Sequence, residues 1–194
     1  LKIANHPIYR HELPEGHRFP MEKYDLLPQQ VIYEVSCLAE NFFEPEITNY
    51  NHLFTVHDPE YFFDLLNITL SRKAARKIGC PLSEVLIERE MIIADGTMKA
   101  SEFALKNGIA MNIAGGTNHA FSNRGEAFCM LNDQAIGAKY LQQKGLAKKI
   151  LIVDLDVHQG NGTAEIFQND ASVFTFSMHG KSNYPFVKEK SDLD

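Results

Sequence analysis

ILIVDLDVHQGNG, residues 150–162, opens as an apolar run and closes in acids and a histidine. Ile150, Leu151, Ile152 and Val153 have the character of a strand buried on both faces, and in α/β proteins ligands gather at the carboxyl ends of such strands. Asp154, Asp156 and His158 follow at alternate positions, so an extended backbone points all three one way and Leu155 and Val157 the other. Carboxylate oxygen with neutral imidazole nitrogen suits zinc or a related divalent ion, and residues 159–162, QGNG, make a tight turn into a following helix. The same D-x-D-x-H also fits a helix-capping acid beside a surface histidine.

Working outward, strand alternates with helix. Before the central strand, Asn132 or Asp133 can cap a helix that turns Ala135, Ala138 and Leu141 inward and ends at Gly145. After it come a short helix over 163–167 and a strand over 172–178. Upstream, a helix after Gly96 carries Ala100, Phe103 and Ala104 to Gly108, and a strand over 109–114 runs into Gly115-Gly116. This order with short connections implies right-handed crossovers and an α/β fold: three layers, α-β-α, around a mainly parallel sheet. Nearer the start, residues 2–4 read as a short strand and 6–16 as a polar loop carrying His11. Val31, Val35, Leu38 and Phe42 form one apolar helical stripe, with Pro28 starting or kinking the helix. Residues 53–56 read as a strand; Asp58-Pro59 reads as the cap of a helix burying Phe62, Leu65 and Leu66. Residues 71–96 are ambiguous: a basic run (Arg72, Lys73, Arg76, Lys77) makes a solvated face before a helix that begins after Pro81.

The 194 residues, 44% hydrophobic, are enough for one buried α/β domain over 1–194. A net charge of −6 argues against broad binding to nucleic acid or membrane and mildly favours a cationic substrate. Three dispersed cysteines, Cys37, Cys80 and Cys129, fit a reducing compartment, and no signal-peptide layout opens the chain, so cytoplasm is expected.

Gly115-Gly116-Thr117-Asn118-His119 follows a strand as the acidic motif does, at the same edge of the sheet. His119 there fits a general base beside a metal and also a hydrogen-bonded structural histidine.

Taken in order, GGTNHAF, RGEAFCMLND, ILIVDLDVHQGNGTAEIF and VFTFSMHG resemble the zinc-dependent histone deacetylase family. EGHRFPMEKYDLL and HGKSNYPFVKEKSDLD resemble its class IV and bacterial deacetylase-like members, so the likeness covers essentially the whole chain. The resemblance implies an arginase/deacetylase-like fold and removal of acyl groups from lysine or a small acetylated amine. It implies that Asp156 and His158 ligate zinc, that His119 is the second of a tandem pair with Asn161 as its partner, and that Asp154 orients the first. Phe128, with Ala127 and Gly116, would line a narrow substrate tunnel. A structural potassium ion would lie among Asp154, Asp156, His158, Ser177 and Met178, and a second monovalent site at Phe167, Asp170 and Val173. His179 matches no zinc ligand.

Two departures stand out. Asn118 occupies the first tandem position, where most of the family has histidine; asparagine carries no proton but can still hydrogen-bond water. The family's third zinc ligand, an aspartate, and its Gly-Gly-Tyr tyrosine come from later strands. Only 36 residues follow His158, against about 30 per further strand-helix unit, so the chain reads as an amino-terminal portion. Asp192 and Asp194 come too early to be that ligand. Two rival readings follow: a non-catalytic acyl-lysine binder, motivated by Asn118 and the missing ligands, and an arginase-like ureohydrolase with two manganese ions. Against the latter, Gly160 stands where its D-x-H-x-D motif needs an acid.

Overall fold

The computed structural model describes residues 1–35 and 37–193. Among the described residues are five short strands, β1 (Lys2–Ala4), β2 (Phe42–Phe43), β3 (Ala110–Asn112), β4 (Ile150–Asp154) and β5 (Val173–Ser177), and seven α-helices. These are α1 (Lys23–Val35), α2 (Tyr50–Leu53), α3 (Pro59–Leu66), α4 (Arg72–Ile78), α5 (Glu84–Asn107), α6 (Asp133–Gln143) and α7 (Asn161–Phe167). Every named strand pair is parallel, in the α/β arrangement expected. The strands form two ladders, β2-β1-β3 and β4-β5, instead of one continuous sheet. Leu193 adds a parallel bridge to Phe176, and the Asp192 carboxylate accepts from Thr175 N at 2.8 Å. Asp194 lies outside the described residues.

Several elements follow from their caps. Asp58 accepts from Glu60 N with Pro59 in the first turn of α3, Ser71 caps α4, Ser83 caps α5, and Asn132 rather than Asp133 caps α6. Gly79 and Gly108 close α4 and α5 in the left-handed conformation. The stretch expected to break at Gly96 is instead one continuous 24-residue helix. A β-carbon at Gly96 would stand 2.6 Å from Tyr9 Oη and 3.2 Å from Ala4 Cβ, so the glycine there permits close approach to β1. Helix α5 packs against β1, β3 and α6. Leu86, Ile87, Met91, Ala94 and Met98 of α5 enter the main core with Phe62, Leu65, Ile136 and Ile152. Each large aliphatic buried there contributes about 1.5–3 kcal/mol.

Three other expectations are corrected. Residues 53–56 are not a strand: Asn49 caps α2, and Leu53 and Val56 are buried from a helical turn and the turn after it. A short apolar run has no period long enough to separate the two forms. The stripe through Val31, Val35, Leu38 and Phe42 is not one helix, since Leu38 caps a 3-10 turn over 39–41 and Phe42 is in β2; the Val35 side chain lies outside the described residues. Pro28 sits inside α1. Finally, β4 is not buried on both faces: Ile152 and Asp154 turn inward, while Leu151 and Val153 are 61% and 46% exposed.

Candidate functional site

The polar site begins where β4 ends. Asp154 Oδ1 accepts from Asp156 N at 3.0 Å, and Asp156 Oδ2 accepts from His158 N at 3.1 Å. Each acid thereby bends the backbone two residues ahead of it, in the manner of an Asx turn, and the extended alternation stops. The consequence is a division of labour among the three residues that a straight strand would have aligned. Asp154 turns into the protein, 7% exposed, and accepts a hydrogen bond from Asn118 Nδ2. Asp156 and His158 stay half-exposed, with Asp156 Oδ2 and His158 Nδ1 2.9 Å apart.

His119 arrives from the loop after β3. One carboxylate holds that loop: Asp133 Oδ1 accepts from Gly116 N at 3.0 Å and from Thr117 N at 2.8 Å, and Asp133 Oδ2 accepts from Thr97 Oγ1 at 2.6 Å. Thr163 N donates to Asn118 O at 3.2 Å, fixing the loop to the first turn of α7. Gly162 is obligatory at this crossing, because a β-carbon there would overlap the Ala120 carbonyl. The His119 ring is buried, with Nδ1 2.7 Å from Asn161 Oδ1. An amide oxygen only accepts, so Nδ1 carries the proton and Nε2 keeps its lone pair. Burial lowers the His119 pKa, and His158 adds to that, against the opposing pull of the Asn161 hydrogen bond.

His119, Asp156 and His158 converge: one donor atom from each lies within 4.8 Å of the others. Two imidazole nitrogens and a carboxylate oxygen are the donor chemistry that zinc takes, so the residues fit such an ion. The expected zinc pair and the expected base thus share one site, with Asp154 and Asn118 directly behind it.

In front lies a cleft of about 560 Å³, lined by Phe19, His119, Phe128, His158, Tyr184 and Phe186. Ala127 and Phe128 both adopt left-handed backbone, φ 47° and 69°, which costs non-glycine residues about 1–3 kcal/mol each. Ala127 N to Lys77 O at 3.0 Å and Phe128 N to Ile78 O at 2.6 Å hold them there. The ring of Phe128 meets Phe19 edge-on at 5.2 Å, and Tyr184 meets His119 at 5.2 Å. Gly116 lines a second cavity, of about 430 Å³, with Asn118, Asp154 and Asp156.

At the base of the β4-β5 ladder, Asp154 pairs in register with Ser177, and Met178 N donates to Asp154 O at 2.9 Å. These residues, expected around a potassium ion, therefore meet at one strand end, where Ser177 Oγ is 2.9 Å from His179 Nδ1. Around the second expected monovalent site, Asp170 N donates to Phe167 O and Val173 N to Asp170 O.

Four residues at or behind the site were not singled out from the sequence as site residues. For Asp133 the sequence signals only a possible helix cap. Tyr184 and Glu126 are joined by a 2.9 Å hydrogen bond, and nothing in their spacing announces it. His57, fully buried, bridges Phe121 O at 3.0 Å and Asn132 N at 2.9 Å behind the loop. Its position ahead of the Asp58 cap, in the sequence VHDP, was the available signal.

Comparison with known proteins identifies the family and fold. The chain is 46% identical over 192 residues to an uncharacterized protein of Picosynechococcus sp., covering 99% of this chain and 64% of that one. It is 32% identical over 190 residues to the acetoin utilization protein AcuC of Bacillus subtilis, covering 92% and 48%. Among solved structures, an HDAC homolog complexed with SAHA superposes with a TM-score of 0.83 at 26% identity, covering 99% of this chain and 56% of that one. An HDAC homolog from Aquifex aeolicus gives 0.82 at 27% identity, covering 98% and 56%. The chain thus spans about half to just under two thirds of the length of these proteins. The histone deacetylase domain matches residues 17–193, and by that match the chain belongs to the histone deacetylase family.

Proposed function

We propose that the protein is a zinc-dependent amidohydrolase that removes acetyl or longer acyl groups from lysine, and that this chain forms one domain's metal-binding portion. The observation that carries the reading is the convergence of His119, Asp156 and His158 at the foot of the cleft walled by Phe128 and Tyr184. Asp156 and His158 would hold the zinc; when bound, it supplies a Lewis acid for the amide carbonyl and for water. His119 Nε2 takes a proton from the attacking water and returns it to the departing amine, while Asn161 keeps the required tautomer. Asp154 and Asn118 brace the site from behind, Asn118 orienting water without exchanging protons. The acyl-lysine stem lies along Phe128, with Ala127 at its side and Gly116 at its inner end. A potassium ion among Asp154, Asp156, His158, Ser177 and Met178 would stiffen the two strand ends. Three free, buried cysteines support a reducing, cytoplasmic setting, and among the described residues no helix is long and apolar enough to cross a membrane.

The test is acetate release from an acetyl-lysine peptide by the full-length protein, wild type against His119→Ala. Loss of turnover in the variant is expected; equal rates would sink the assignment. A second reading, a non-catalytic acyl-lysine binder, is favoured by Asn118 standing where a proton carrier is usual. Calorimetric binding of acyl peptide with neither zinc nor turnover would establish it.

A further inference from the structure

The mouth of the cleft carries charge opposite to that of the chain as a whole, whose net charge is −6. Two cations, Arg18 and Lys77, line the outer cleft, and among the described residues no carboxylate does. Lys77 Nζ reaches Glu126 Oε1 at 3.1 Å, and Arg124 Nε reaches the same oxygen at 3.0 Å. Burial opposes the Glu126 charge, but bonds from Arg124, Tyr184 and Lys77 outweigh it and hold the carboxyl pKa below its usual value. Arg18 and Lys77 are thus the arginine and lysine side chains that line the cleft, with Glu126 held behind it by Lys77, Arg124 and Tyr184.

Arg18 differs from the other two. Its guanidinium sits 5.3 Å from the centroid of the Phe128 ring. Among the described residues, its side chain has neither an ion pair nor a hydrogen bond. An aromatic face that fixes a planar guanidinium while leaving its donors unused presents a fork matched to a carboxylate.

We propose that Arg18, supported by Lys77, is a specificity-determining residue that receives a substrate carboxylate near the acylated amine. This rests on the acyl-amine reading above and names the substrate class within it. The carboxylate comes from an acidic neighbour in a peptide or from the α-carboxylate of a free acylated amino acid; acylated polyamines, being cationic, are disfavoured.

The experiment uses full-length protein and fluorescent acetyl-lysine peptides flanked by Asp, Ser or Lys, with free Nε-acetyl-lysine compared against its carboxamide. Anisotropy gives Kd and acetate release gives kcat/KM. Asp-flanked peptide is expected to be preferred over Lys-flanked by about tenfold at low salt. That preference shrinks at about 0.5 M salt, diminishes in Lys77→Gln and reverses in Arg18→Glu. Preference for free acetyl-lysine over its carboxamide would identify the α-carboxylate as the source. Equal affinities and rates across the peptides, or a preference unchanged by Arg18→Glu, overturns the proposal. Charge-dependent binding without hydrolysis would instead remove the hydrolase reading and leave the rim's role standing.

Discussion

His119 Nδ1 and Asn161 Oδ1 stand 2.7 Å apart, joining the loop after β3 to the first residue of α7. The bond fixes which ring nitrogen is free, so replacing Asn161 by Leu should let the imidazole change tautomer and turn. For full-length protein on an acetyl-lysine peptide, kcat is expected to fall about 10- to 100-fold with KM nearly unchanged. An unchanged kcat, in a variant with a wild-type unfolding transition, would refute the pairing's role.

Metal stoichiometry separates the enzyme readings. Equilibrium dialysis of full-length protein should find one zinc per chain, with affinity lowered at least about tenfold by Asp156→Ala or His158→Ala. Two manganese ions per chain would favour the ureohydrolase reading.

The fully buried His57 should make stability depend on pH. Burial pushes its pKa from 6.5 down to about 4, so the folded protein holds it neutral. Its contribution is present above pH 6.5 and is lost as pH falls through about 4, amounting to about 3 kcal/mol across that window. Glu90 acts in the opposite sense: burial raises its carboxyl to about 7, and its contribution, present below 4.5, is lost as pH rises through 7. The wild-type profile is therefore flattened, and the difference from His57→Gln is the informative quantity. Urea unfolding should show that difference shrinking between pH 7 and pH 4; a constant difference would contradict the assignment.

At Gly96 two effects compete. Alanine gains about 1 kcal/mol of helix propensity, but its methyl group would stand 2.6 Å from Tyr9 Oη in a packed core. Crowding should win, and chemical denaturation of Gly96→Ala should show a net loss of about 1–2 kcal/mol.

Much of this was legible in the sequence, for identifiable reasons. Caps such as Asp58 and Asn132 act within three residues, so local pattern locates them. The pairings Asn118 with Asp154 and His119 with Asn161 were implied by the family resemblance, and the structure places each within hydrogen-bond reach. What stayed hidden depends on distance along the chain. Gly96 looked like a helix end because its reason lies on Tyr9 and Ala4, and residues 53–56 looked extended because four residues carry too little period. The turn of Asp154 away from Asp156 and His158 was hidden as well, since it comes from side chains bonding to backbone two residues on, which alternation does not encode.

The Asp133 carboxylate touches Thr97 on α5 and the amides of the loop that carries His119, while its own backbone begins α6. That loop therefore depends on the docking of two helices as well as on its bonds to α7 and Asp154. Any event that separates α5 from α6, whether heat, denaturant or a substitution at Thr97, should reach the imidazole before it disturbs Asp156 or His158. Loss of proton transfer should accordingly precede loss of metal as the fold loosens, making activity the earlier gauge of how well the helices are seated.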